Sequence, residues 1–219
     1  MMKRNIFLFL LTVIIFLVFT SCASKKEKEP QPVQERSENF IADINSMFLG
    51  NLHLYTKLSI NAPKITDFDV YFAPRTNSIY LNFKMGIDIV QISFSYSERK
   101  AIYESAQKYI DNYENKLLID EKPTSKNAYL KGKAPISWGV FGLVYSTITK
   151  YQVNTEYLWI DKPYYRLKYD TAKANDDDAN SPSFSIYISP SQWQNIFEMC
   201  NQAVLESKVD DILEQADVF

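Results

Sequence analysis

One histidine, two cysteines and five glycines are all that 219 residues contain of those types. These shortages remove several chemistries at once. A zinc site needs clustered cysteine and histidine ligands. His53 is the single histidine, and it sits between Leu52 and Leu54 in an alternating segment that turns it toward a polar face. The five glycines form no Walker loop, no G-x-G-x-x-G turn and no G-x-S-x-G elbow. A Ser–His–acid set would have to be built on His53, and no nucleophile or orienting acid stands beside it in sequence. Asp69, Glu98, Asp161 and Asp170 cannot be paired into an acid–base couple, whose separation is a property of the fold. An excess of positive charge is also missing: 24 basic against 26 acidic residues leave −2. The chain as a whole exerts no pull on nucleic acid or anionic lipid.

What the chain does have begins at its start. Lys3 and Arg4 precede the apolar run Ile6–Phe19, which Thr20, Ser21 and Cys22 follow. Charged, apolar and small-residue regions in that order make a secretory signal. The segment Phe19-Thr20-Ser21-Cys22 resembles the lipobox of bacterial lipoproteins. The resemblance implies cleavage before Cys22, acylation of Cys22 with diacylglycerol and palmitate, and attachment to a membrane of the bacterial cell envelope. Within that resemblance, Ala23 in place of Asp favours the outer over the inner membrane, in a cell that has both and sorts by that rule. The leaflet it faces stays open. Cleavage would remove 1–21 as signal peptide and leave 22 basic residues (24 less Lys3 and Arg4) against 26 acidic ones.

Residues 22–36 carry the acylated cysteine and a tether with Pro30 and Pro32 and almost no apolar side chains. Such a segment cannot bury enough surface to offset its ordering entropy. With Cys22 acylated, Cys200 is the other cysteine, and no intrachain disulfide is expected. Cys200 falls on an apolar helix face, where a thiol is a small, inert core group.

Beyond the tether the apolar pattern changes period four times. A short helix is expected over Ser37–Phe48, ended by Gly50. Alternation then marks strands through Leu52–Ile60, Phe68–Phe72, Ile79–Met85 and Val90–Tyr96. Ser95 with Glu98 has capping-box spacing. From there Ile102, Tyr103, Ala106, Tyr109, Ile110 and Tyr113 follow a helical stripe. The sequence repeats this order. Thr124–Lys133 reads as a connector, and strands are expected over Ile136–Thr149, Tyr151–Trp159, Tyr165–Tyr169 and Phe184–Ile188. A final helix opens at Ser189 with Pro190 and Gln192 and runs through Ile196, Phe197, Cys200 and Val204 to about Ile212.

The halves correspond at a fixed offset of 94 residues. Ser95 answers Ser189, Ser97 answers Ser191, Glu98 answers Gln192 and Ala106 answers Cys200. An internal repeat is the economical reading. The fold class expected is therefore α+β: two related antiparallel four-stranded sheet plus helix units, 37–123 and 124–219, either separate or packed as one pseudo-symmetric domain. This tandem ββββα order resembles PUR-like and whirly-like domains, by element order over residues 50–216. That resemblance implies a single-stranded nucleic-acid module, which the acidic balance and the export signal disfavour.

Two groups of residues are singled out. Asp176, Asp177, Asp178 and Asn180 are the oxygen ligands that suit calcium best, although they lack EF-hand spacing and read first as a solvated loop. No cofactor is implied. Tyr71, Tyr80, Arg166, Lys168 and Tyr187 fall on the sheet side opposite the helices, where Tyr and Arg can recognise peptides, glycans or headgroups. Burial in an interface competes with that role. The functional expectation is a lipid-anchored, non-enzymatic binding or structural-interaction module that meets an envelope protein or polymer. A small-molecule or lipid carrier, a glycan-processing enzyme and a nucleic-acid module are the alternatives.

Overall fold

In the computed structural model, residues 36–217 are described, except 59, 60, 141, 160 and 161. Alternation over two residues becomes eight strands: β1 Met47–Leu58, β2 Lys64–Ala73, β3 Ser78–Met85, β4 Asp88–Phe94, β5 Leu130–Val140, β6 Leu143–Trp159, β7 Lys162–Tyr169 and β8 Phe184–Ile188. The helical period becomes α1 Tyr96–Glu114, α2 Pro190–Cys200 and α3 Gln202–Asp217.

Every strand pairs antiparallel with its neighbour in sequence, and β1 pairs with β8, so the sheet closes into an eight-stranded barrel. This corrects the expectation of two four-stranded sheets with a helix each. Two seams decide it. Across the midpoint, Ile89–Ile92 of β4 pair with Ile136–Gly139 of β5. Across the ends, Tyr55–Leu58 of β1 pair with Phe184–Tyr187 of β8. Two separate sheets would leave four edges with unpaired N–H and C=O groups. A closed barrel leaves none.

Inward side chains fill the barrel. Phe68, Val70 and Phe72 of β2, Val90 and Ile92 of β4, Ile136 of β5, Val153 of β6, Tyr165 and Tyr169 of β7 and Ile186 of β8 are all buried. The outer wall carries Asn51, His53, Asp67, Lys84, Lys131, Lys133 and Lys150. Apolar inside and charged outside is the polarity of a barrel that faces water, the reverse of a barrel that faces lipid. Among the described residues no helix is long and apolar enough to cross a membrane. Gly132 makes one inward contact possible: a Cβ there would lie 2.4 Å from the Tyr151 ring.

The helices gather at one end, where β4 ends, β7 begins and β8 ends. Tyr109 donates to the Pro163 carbonyl at 2.9 Å, and Ser105 meets the Tyr165 hydroxyl at 2.6 Å. The two strand–helix junctions match in detail. Ser95 and Ser189 each accept from the backbone N–H three residues on, and Glu98 and Gln192 each return a bond to the cap N–H. The opposite end has the exposed apolar side chains Ile87, Ile89, Leu143 and Val144.

Three smaller expectations are also corrected. The connector Thr124–Lys133 and the strand Ile136–Thr149 give way to β5 and β6, because the chain turns back inside that stretch and pairs Val140 with Leu143 and Leu130 with Val153. No helix forms over Ser37–Phe48. Ser37 and Phe40 close a turn, Ile41 and Ala42 are buried, and β1 begins at Met47. Bonds from Ile41 N–H to the Pro74 carbonyl and from Asn77 Nδ2 to the Glu38 carbonyl hold this strap on the β2–β3 turn. Tertiary partners there outweigh a short helix with costly nucleation. The last helix is two helices, because Asn201 adopts an extended conformation (ψ 136°) and its side chain caps Ala203 N–H at 2.9 Å.

Candidate functional site

At the helical end, α1 and the α2–α3 junction enclose a cleft of about 460 Å³. Its walls include Tyr96, Lys100 and Tyr103 from α1, Phe197 from α2 and Gln202 from α3. Arg99 forms part of the floor. Behind it lies an apolar cavity of about 60 Å³ between the helices and the barrel, lined in part by Leu54, Leu81, Ile186, Trp193 and Ile196. Arg99, Tyr103 and Cys200 belong to both spaces.

Arg99 is placed by its helix start. The Ser95 cap and its partner Glu98 fix the first turn, and Arg99 follows one residue later on the apolar stripe with Ile102, Tyr103 and Ala106. The residue is 4% exposed. Its Nη2 donates to the Asn77 carbonyl at 3.0 Å, to Asn77 Oδ1 at 2.7 Å and to Gln202 Oε1 at 3.2 Å. The guanidinium lies over Phe72 and Tyr96, 5.8 and 5.7 Å from the ring centres. Among the described residues no ion pair includes it. Its Nε is buried without a hydrogen-bond partner, and so is the indole Nε1 of Trp193. Burial lowers the Arg99 pKa, against weaker opposing influences from Tyr103, Cys200 and Tyr96. The surroundings therefore hold a cation with neutral groups.

Tyr103 donates to the Cys200 carbonyl at 3.2 Å, and burial raises its pKa far above the ordinary value. Burial pushes the Cys200 thiol up to about 11. A thiol so protonated is a poor nucleophile. A second groove, about 720 Å³, runs between β1 and α2–α3 and includes His53, Glu198 and Lys208. Its charged residues are all exposed, and His53 is engaged with its cross-strand neighbour Asp67 at 2.6 Å.

The residues singled out from sequence lie elsewhere. Tyr71 and Tyr80 are directly opposite each other on β2 and β3, half-buried on the outer wall, with Phe48 5.3 Å from Tyr71. Arg166 and Tyr187 are opposite each other on β7 and β8, and both contact Glu156, at 2.9 and 3.2 Å. Tyr187 is fully buried, which pushes its hydroxyl up to about 12. Lys168 pairs with Asp170 at 2.9 Å. The five thus form two groups on different strand pairs. The acidic run occupies the β7–β8 loop, where Asp177 caps Ala179 N–H and Asp178 pairs with Lys173 at 2.6 Å. Among the described residues no three His, Cys, Asp or Glu side chains gather as a metal site. Cys22 lies outside the described residues.

Arg99, Asn77 and Gln202 were not singled out from sequence. Arg99 did carry a signal: it is a charged residue inside an apolar helical stripe. At the offset of 94 its counterpart is Trp193, buried in the same cavity wall. Asn77 and Gln202 reach Arg99 only through the fold.

Fold and cleft together define the class: a water-facing, closed eight-stranded antiparallel barrel, capped at one end by helices around a buried arginine. The chain belongs to the family described as "Uncharacterised Treponema protein", which matches residues 31–207. A protein of Treponema pallidum (strain Nichols), described as an uncharacterized protein, is 25% identical over 173 residues. The match covers 78% of this chain and 62% of that protein, so the chain spans less than two thirds of that relative's length. No solved structure matches.

Proposed function

We propose that this chain is a lipid-anchored protein of the bacterial envelope that binds a small molecule at the helical end of its barrel. The observation that carries the binding is the cleft itself. Its volume of about 460 Å³ lies within the range of small-molecule sites, roughly 300–1,000 Å³. Its floor adjoins an apolar cavity, and polar and aromatic groups converge on its walls. The barrel interior is filled by its own side chains, which directs binding to the ends. Anchoring rests on the Phe19–Cys22 segment, and residues 23–36 supply a tether between lipid and barrel.

The test is extraction. Protein purified from its own cells is precipitated in methanol, and the supernatant is analysed by mass spectrometry beside that of an Ile196→Trp variant, which fills the cavity. A compound present in near-stoichiometric amount with the wild type and depleted in the variant supports the reading. Wild-type supernatant indistinguishable from a mock purification rejects it. Mass analysis of the N-terminal peptide tests the anchor separately: an unmodified Cys22 removes it.

A further inference from the structure

We infer that the ligand is an anion, a carboxylate or phosphate monoester carrying a short apolar tail, with its acidic group held at Arg99. This inference rests on the small-molecule reading of the cleft. A buried cation without a counter-charge is costly, and proteins ordinarily compensate it with a carboxylate. Here the groups bonded to Arg99 are all neutral. Gln202 even stands between Arg99 and the nearest carboxylate of its chain of bonds, since its Nε2 donates to Glu206 Oε1 at 2.8 Å. Lys100 and Glu104 also line the cleft, and as one basic and one acidic side chain they cancel. The uncompensated charge of the site is therefore that of Arg99.

A second observation concerns acceptors. Two donors on the wall of the apolar cavity, Arg99 Nε and Trp193 Nε1, are buried and unbonded. Buried donors are rarely left without a partner. The acidic oxygens of the ligand provide the counter-charge and the kind of acceptor this region is short of. The tail is limited by space: a cavity of about 60 Å³ holds a few water-sized groups. Away from Arg99, Tyr103 and Cys200 its lining is Leu, Ile, Phe and Trp, which favours an apolar tail. A long-chain fatty acid does not fit.

Calorimetric titration of the full lipidated protein in lipid nanodiscs tests this, with empty nanodiscs as blank. Hexanoate and hexyl phosphate are compared with hexanamide, which keeps the shape and loses the charge. The expected result is at least tenfold tighter binding of one or both anions. The better anion separates the carboxylate from the phosphate class. Arg99→Met should bring the ratio near one. Because that variant can fail to fold, Gln202→Glu is the companion: it places a carboxylate on Arg99, imitates the bound anion, and should abolish the preference while raising the Tm. Equal binding of hexanamide and the anions to the wild type overturns the anion inference alone. Retention of the preference in Gln202→Glu overturns the role of Arg99. Failure of all three probes to bind counts against the small-molecule reading as well.

Discussion

Asn77 holds Arg99 with two oxygens at once, its main-chain carbonyl at 3.0 Å and its side-chain Oδ1 at 2.7 Å, while its Nδ2 ties down the Glu38 carbonyl at 2.8 Å. It does so from a left-handed backbone conformation (φ 45°) in the β2–β3 turn, fully buried. One residue therefore joins the N-terminal strap, the barrel and the first helix. Asn77→Ala keeps the carbonyl bond but should lose the Oδ1 bond to a charged group, worth about 1.5–3 kcal/mol, together with the Nδ2 bond to the Glu38 carbonyl, and add roughly 1–2 kcal/mol of backbone strain. Asn77→Gly relieves the strain and keeps the lost bonds lost. Urea unfolding should rank wild type above Gly above Ala. Equal midpoints for the two variants would show that the backbone conformation contributes nothing.

The two helix starts offer a matched pair. Ser95→Ala and Ser189→Ala each remove a cap whose loss costs about 1 kcal/mol. Each variant should lower the Tm by a similar amount. Glu98→Ala and Gln192→Ala, which break the return bond to the cap, should cost less. A Ser189 variant as stable as the wild type would mean that Pro190 alone organises that turn.

Barrel closure depends on two short seams of four residue pairs each. Native-state hydrogen exchange measures them directly. Amides of β1 and β8 at the Tyr55–Leu58 seam and of β4 and β5 at the Ile89–Ile92 seam should be protected, with opening free energies below those of the long β5–β6 hairpin. Free exchange along either seam would describe an open sheet.

High pH should unfold the protein. Burial raises the hydroxyl pKa of Tyr103, Tyr109, Tyr165 and Tyr169, and pushes Tyr151 and Tyr187 up to about 12. A group whose folded pKa lies above its unfolded value adds stability below the unfolded pKa, near 10 for tyrosine, and loses it as pH rises through the folded one. Stability should therefore fall between about pH 10 and pH 12. A spectrophotometric titration should show one set of tyrosines ionising near 10 and another only on unfolding. Cys200 behaves alike, with its thiol near 11, so iodoacetamide at pH 8 should leave it intact until denaturant is added. Rapid labelling in the folded state contradicts the burial described.

Local order was legible because it is encoded over short distances. Ile79, Leu81, Phe83 and Met85 alternate whatever they pair with, and Ser95 caps α1 with the Glu98 three residues away. The helix expected over Ser37–Phe48 shows the limit. Its apolar residues have helical spacing, yet Ile41 spends its N–H on Pro74, which is distant in sequence. The residues placed on one recognition face show a related limit: Tyr71 and Tyr80 stand on one strand pair, Arg166 and Tyr187 on another. Alternation assigns a side chain to a face of its own strand, but it carries no information on which strands are neighbours around the wall.

The alternation of strands such as β2, β3 and β4, the helical stripe of α1 and the two capped helix starts follow from the amino-acid sequence itself, since each depends on residues within a few positions. Closure of the barrel and assembly of the cleft belong to the tertiary structure. The last open edges, those of β1 and β8, are satisfied by partners more than a hundred residues away, as Tyr55 is by Tyr187. Arg99 acquires its meaning only where Asn77 and Gln202 converge on it and supply no negative charge.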